Sequence, residues 1–296
     1  MNSVFLTRVA GLQFQLELAE GVLARVGTPA SAALDATVVP RATLRQRWLV
    51  WRWSGWTSPV LLLSLWSLAT ALDWAPEQIL VSPLQVLQTA YELTASGELP
   101  AHLAVSLGRL GAGFVTGGVA GIAFGLAVGL VPALRAFTAP TFNVLRQMPS
   151  VALIPLFILL FGIGETFKIF IVVKATFFVV ALAVIDGVHG VPRSLLEVAE
   201  LLRLTRLQAV RKVVLPAIVP ATLTGVRIAL SRSWVVLVGA ELLAADSGLG
   251  QMMEMGRQMF RIDVVMVGVL LTGLIGYALD RVFRALEAYL MRWQLR

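Results

Sequence analysis

Apolar residues in this chain fall into blocks, not into the strict alternation of strands. Six blocks stand out, at about 57–75, 107–131, 149–163, 167–187, 219–244 and 264–279. A helix needs about 20 mostly apolar residues to cross a bilayer, and the six blocks reach or nearly reach that length. The block from Pro149 to Ile163 is short, Lys174 interrupts the fourth, and Arg227 and Arg232 interrupt the fifth. The pattern predicts an all-α polytopic membrane protein with six transmembrane helices. Residues 1–25 mix apolar positions with Arg8, Glu17, Glu20 and Arg25 and contain no apolar core of a secretory signal. Residues 26–47 are rich in small, polar and basic residues. Residues 1–50 are therefore expected to be a poorly ordered cytoplasmic extension, and residues 51–296 the transmembrane domain.

Composition reinforces the solvent assignment. The 296 residues are 58% hydrophobic and only 14% charged, with a mean hydropathy of +0.83, whereas a soluble chain carries about 25% charged residues. A net charge of +7 would suggest nucleic acid in a soluble protein. Here it follows from the Lys and Arg that membrane proteins keep in cytoplasmic loops, and no nucleic-acid partner is expected. Arg41, Arg45, Arg47 and Arg52 precede the first block. The 76–103 loop has no Lys or Arg but holds Glu77, Glu92 and Glu98, and the 188–218 loop holds Arg193, Arg203, Arg206, Arg211 and Lys212. With Arg281, Arg284, Arg292 and Arg296 in the tail, this alternation places both termini in the cytoplasm. There is no Cys, and His102 and His189 are far apart, so no metal ligand set is expected.

Within the second block Gly117, Gly121, Gly125 and Gly129 recur every four residues, a small-residue face suited to close helix packing in lipid. Ionisable residues within spans usually pair or face a cavity. Lys174 and Glu241 are expected at similar depth, as a pair near the outer half of a pathway. Arg109, Arg227 and Arg232 are further candidates for contact with a passing anion, since a guanidinium suits tetrahedral oxyanions. The candidate translocation path is thus Arg109, Lys174, Arg232 and Glu241.

The 188–218 loop has helical character. Leu195, Val198, Leu201 and Leu202 form an apolar face, and Glu197, Glu200, Arg203 and Arg206 a charged stripe at spacing three. Leu215-Pro216 is expected to end or bend this helix. Such a helix suits either a partner groove or lipid headgroups.

The segment from Ser194 to Leu230 resembles the EAA loop of ATP-binding-cassette importer permeases. Glu197, Val198 and Ala199 take the Glu-Ala-Ala positions, Val213 the Ile position, and Leu215-Pro216 match. Arg203 stands where the family has Gly; an Arg resists a left-handed turn, so a shallower break or a continuing helix is expected. The similarity extends over about residues 55–294. It includes Ser96-Gly97-Glu98-Leu99, Ser106-Leu107 with Arg109, Leu145 to Pro149, Leu153 to Leu156, Phe161 to Gly164, Glu241 and Ser247-Gly248-Leu249-Gly250. These resemble the nitrate, sulfonate, taurine and bicarbonate branch, aliphatic sulfonate permeases above all. Taurine, nitrate, bicarbonate or a pyrimidine precursor are alternative cargoes.

What the resemblance implies is a type I importer permease fold in the bacterial inner membrane. It also implies a homodimer, a separate ATPase subunit docked on the EAA helix, and a periplasmic or lipid-anchored solute-binding protein. ATP and Mg2+ would reside on the ATPase and no cofactor on this chain. Lys168, Lys174 and Lys212 are the only lysines and none follows a Gly. The chain therefore has no Walker A loop and is not expected to be an enzyme. A secondary transporter would show paired repeats with broken helices, and a membrane enzyme would show clustered His, Asp or Glu. Neither pattern is present in the sequence.

Overall fold

The computed structural model describes residues 54–292 other than 75, 77 and 78. The expected extension over 1–50, Glu77 and the end of the tail lie outside the described residues. The chain divides into two compact units, Met1–Ser64 and Leu65–Arg296. In the first, residues 54–64 are helical. The account below concerns the second.

The described residues are helical, joined by short turns. In chain order the helices are α1 (Ser54–Ala71), α2 (Pro83–Ala95), α3 (Glu98–Leu130), α4 (Pro132–Gln147), α5 (Ile154–Phe161), α6 (Glu165–His189) and α7 (Arg193–Leu201). They continue with α8 (Arg206–Ala209), α9 (Leu215–Ala244), α10 (Leu249–Gln258) and α11 (Ile262–Leu290). Local chemistry sets several boundaries. The Ser82 side chain accepts from the Gln85 N–H ahead of Pro83, which begins α2. Gly97, at φ +79°, lets the chain turn between α2 and α3.

Four segments are long and apolar enough to cross a membrane: Glu98–Leu130, Glu165–His189, the joined run Arg206–Ala244, and Ile262–Leu290. The count reaches five if α4 and the Val151–Phe161 segment, bent by 89°, form one span; Thr57–Ala71 is a shorter apolar helix. The expectation of six spans therefore holds firmly for four of the six blocks. The third differs most. Pro149 disfavours helix at the residue before it, and Met148 is extended, at φ −66° and ψ 119°. The apolar block is left with a single 3-10 turn and the eight-residue α5, about 12 Å long.

At the centre α3 lies along α6, and α6 along α9. The glycine row is the reason the first pair comes so close. A Cβ on Gly117, Gly121 or Gly125 would lie 2.6, 2.9 or 2.8 Å from the carbonyl oxygens of Val173, Phe177 or Ala181. One face of α3 is thus backbone against backbone, as small residues permit in lipid. Trp234, fully buried, donates its indole N–H to the Thr272 carbonyl and ties α9 to α11.

Candidate functional site

Three constellations carry chemistry. The first is the loop between α6 and α9. Helix α7 ends at Leu201, and Arg203 adopts φ +47°. The Leu204 N–H donates to Ala199 O at 3.0 Å and the Arg203 N–H to Glu200 O at 2.9 Å. This pair of bonds is the Schellman closure that usually has Gly at the left-handed position. The expectation that Arg203 would weaken the break is thus corrected: the turn forms fully, because its two hydrogen bonds offset the steric cost of the Cβ. The charged stripe also stops here, since Arg203 and Arg206 lie beyond the end of α7.

Thr205 then starts the next helix with a capping box, its hydroxyl accepting from Gln208 N–H while Gln208 Oε1 accepts from Thr205 N–H. Thr205-x-x-Gln208 is the sequence signature of such a start, four residues after the end of α7. Pro216 does not end the run. Val210–Val214 form a π turn, which widens the backbone where the Pro ring would meet a carbonyl one turn back, and helix continues to Ala244. Ala199 is buried, and Val213 and Leu215 are half-buried. Leu195, Val198, Leu201 and Leu202 are exposed, Leu201 at 82%, while Glu197 and Pro216 also face outward.

The second constellation is a buried ionic knot. The Arg109 guanidinium donates from Nε and Nη2 to the two Glu165 oxygens at 2.6 and 2.5 Å. It also donates to Glu241 Oε1 at 2.8 Å, to Ser247 O at 2.6 Å and to Ser247 Oγ at 2.8 Å. All five of its N–H donors are used. Lys168, itself buried, reaches Glu165 at 3.2 Å, so two cations face two carboxylates. Ser106 Oγ lies 2.8 and 2.9 Å from the Glu241 oxygens and accepts from Leu249 N–H, while Gly250 N–H donates to Glu241. Gly248, at φ +110°, leaves room for that carboxylate, which a Cβ would approach to 2.4 Å. The motif residues Ser106, Arg109, Glu241 and Ser247 to Gly250 are therefore one assembly.

This geometry corrects two expectations. Lys174 does not pair with Glu241: it donates to Met148 O and Ser150 Oγ, at the break after α4. Arg109 is saturated by the protein and presents no spare donor to a passing anion.

The third constellation is a groove of about 540 Å³ lined by Arg146, Gln147 and Ser150 on one side, Lys174 and Phe178 of α6, and Ser231, Arg232 and Val235 of α9. A continuation of about 350 Å³ shares Arg146, Phe178 and Arg232 and runs to Asp186 and Gly225. Lys174 and Arg232 of the candidate path thus meet in one groove. Arg227 is turned away, paired with Glu287 at 3.2 Å and Asp280 at 4.0 Å. Arg146 belonged to a quoted motif, but its place in the path could not be read from sequence.

A bundle of helices long and apolar enough to cross a membrane, with a groove among them, is the architecture of an integral membrane protein. The chain belongs to the binding-protein-dependent transport system inner membrane components, whose family model matches residues 117–292, and it is a permease of the ATP-binding-cassette importer class. It is 34% identical over 236 residues, 80% of this chain and 86% of the relative, to the putative aliphatic sulfonates transport permease protein SsuC of Bacillus subtilis strain 168. It is 37% identical over 252 residues to the protein of that same name from Escherichia coli K12, covering 85% of this chain and 95% of that one. The taurine transport system permease protein TauC of Escherichia coli K12 is 36% identical over 272 residues, covering 87% and 98%.

Proposed function

We propose that this chain forms the membrane pathway of an ATP-driven importer for a short aliphatic sulfonate. It would act as a homodimer in the bacterial inner membrane with both termini cytoplasmic. A separate ATPase subunit holds ATP and Mg2+, and an external binding protein delivers the solute. The cargo reading draws on the names of the similar proteins. The coupling reading is carried by one observation: α7 ends in a fully hydrogen-bonded turn and presents Leu195, Val198, Leu201 and Leu202 outward, unburied by the rest of the chain. Exposed apolar residues at spacing three and four on one short helix fit a groove in a partner protein. The capped, continuous run from Arg206 to Ala244 would carry the motion of a docked α7 into the bundle.

In this reading Glu197, Ala199, Arg203, Val213, Leu215 and Pro216 make up the coupling loop. Ala199, Val213 and Leu215 seat it on the bundle, and Glu197 faces the ATPase. The double variant Leu201→Glu with Leu202→Glu is expected to abolish ATPase co-purification and to lower ATP-dependent uptake about tenfold or more, since each buried charge costs several kcal/mol. Membrane insertion should be unchanged. Uptake and co-purification at the wild-type level would overturn the assignment.

A further inference from the structure

We infer that the groove between α4, α6 and α9 is an anion site of the permease itself, in which Arg146, Lys174 and Arg232 hold a sulfonate headgroup; the inference rests on the cargo reading above. Its strongest support is a contrast among arginines. In the spans, Arg109 is saturated by Glu165, Glu241 and Ser247, Arg227 pairs with Glu287 and Asp280, Arg284 pairs with Asp280, and Arg281 lies over the Tyr277 ring. Arg232 has no hydrogen bond or ion pair among the described residues, and neither has Arg146.

Arg232 is not an anchor at the end of a span. It lies 12 residues before the last residue of α9, or about 18 Å along the axis. Lys174 is nine residues into α6 from the same side of the bundle, about 14 Å. The two cations therefore sit at similar depth, far from the span ends. Lys174 donates to Met148 O and Ser150 Oγ, whereas Arg232 has no partner among the described residues, and an unpaired ionisable group at that depth marks a wet pathway.

The chemistry of the lining is that of an amphiphilic anion. Two guanidinium groups offer forked donors to a three-oxygen headgroup, and Lys174 adds a point charge beside them. Ser150, Ser231 and Gln147 supply neutral donors, and Phe178, Val235 and Val236 form an apolar wall for a short alkyl chain. Asp186 is the one carboxylate lining the two volumes, and it lines only the smaller, so the lining of the larger holds three cations and no carboxylate. The volume, about 540 Å³, is within the ordinary range of small-molecule sites.

The test uses the complete importer: this chain with its ATPase and binding protein, and radiolabelled ethanesulfonate and nitrate as probes, with uptake normalised to assembled complex. Arg232→Gln and the double variant Arg146→Gln with Arg232→Gln are expected to lower ethanesulfonate uptake about tenfold, as loss of a charged hydrogen bond does, while ATP hydrolysis continues. Arg232→Lys, which keeps the charge and loses the fork, should fall between Arg232→Gln and wild type. Uptake in the Gln variants within about twofold of wild type would overturn the site. So would loss of assembled complex in both Arg232→Gln and Arg232→Lys, which would make the arginine structural. Wild-type uptake of nitrate in place of ethanesulfonate would refute the sulfonate reading alone. The anion site would then stand if the same variants lower nitrate uptake, and fall if they do not. Uptake of neither anion by an importer active on a neutral solute would refute both.

Discussion

Arg203 occupies a backbone region that costs an L-residue about 1–2 kcal/mol, at the position where a Schellman turn favours Gly. The turn forms all the same, because the steric penalty is smaller than the sum of what the turn satisfies. Arg203→Gly is therefore expected to raise the thermal stability of the solubilised protein by about 0.5–1 kcal/mol, after allowance for the greater freedom of Gly in the unfolded chain. A melting curve shifted downward would contradict this and assign the Arg203 side chain a stabilising contact. The Lys174–Glu241 pairing failed on geometry. Both depth and facing differ: Glu241 shares Arg109 with Glu165 at one end of the bundle, whereas Lys174 lies nine residues, about 14 Å, further along α6. At about 100° per residue, Lys174 lies about 180° around α6 from Glu165, so one residue faces the ionic knot and the other the groove. Glu241, Arg109 and the Ser247–Gly250 segment were each visible as motifs. Their union was not, because it joins positions more than a hundred residues apart.

Helix contacts were more legible than side-chain networks. The four-residue spacing of Gly117, Gly121, Gly125 and Gly129 specified a packing face before any coordinates, and α6 is what it packs against. The same helix provides its own control. A Cβ on Gly121 would approach Phe177 O to 2.9 Å, whereas one on Gly111 would meet nothing within 4 Å. Gly121→Ala should destabilise the bundle by about 1–3 kcal/mol. Gly111→Ala should be neutral or stabilise by up to about 1 kcal/mol, as Ala is the better helix former. Thermal unfolding followed by helical circular dichroism separates them; equal effects would contradict the packing account. The short third block and Pro216 show the limit of reading elements from composition. One proline breaks the chain after α4, where the preceding residue is extended. The other is absorbed within a helix by a π turn.

At the scale of the whole molecule, the proposed coupling turn and the proposed anion groove lie along one continuous helical run, Arg206–Ala244. Helix α7 and its capped turn lie at the start of Arg206–Ala244, Arg232 lies within it, and Glu241 ties its far end to Arg109 of α3, which in turn holds Glu165 of α6. A displacement of the turn by a partner would reach the groove through packed helix. The apolar blocks and the EAA-like segment are both legible in the sequence. The groove itself emerges only when α4, α6 and α9 are folded together. The most direct test is uptake of radiolabelled ethanesulfonate by cells lacking their own importers and supplied with this chain, its ATPase and its binding protein. The expected result is uptake that disappears when the ATPase carries an inactivated Walker A lysine. Uptake that persists with the inactive ATPase would contradict the account.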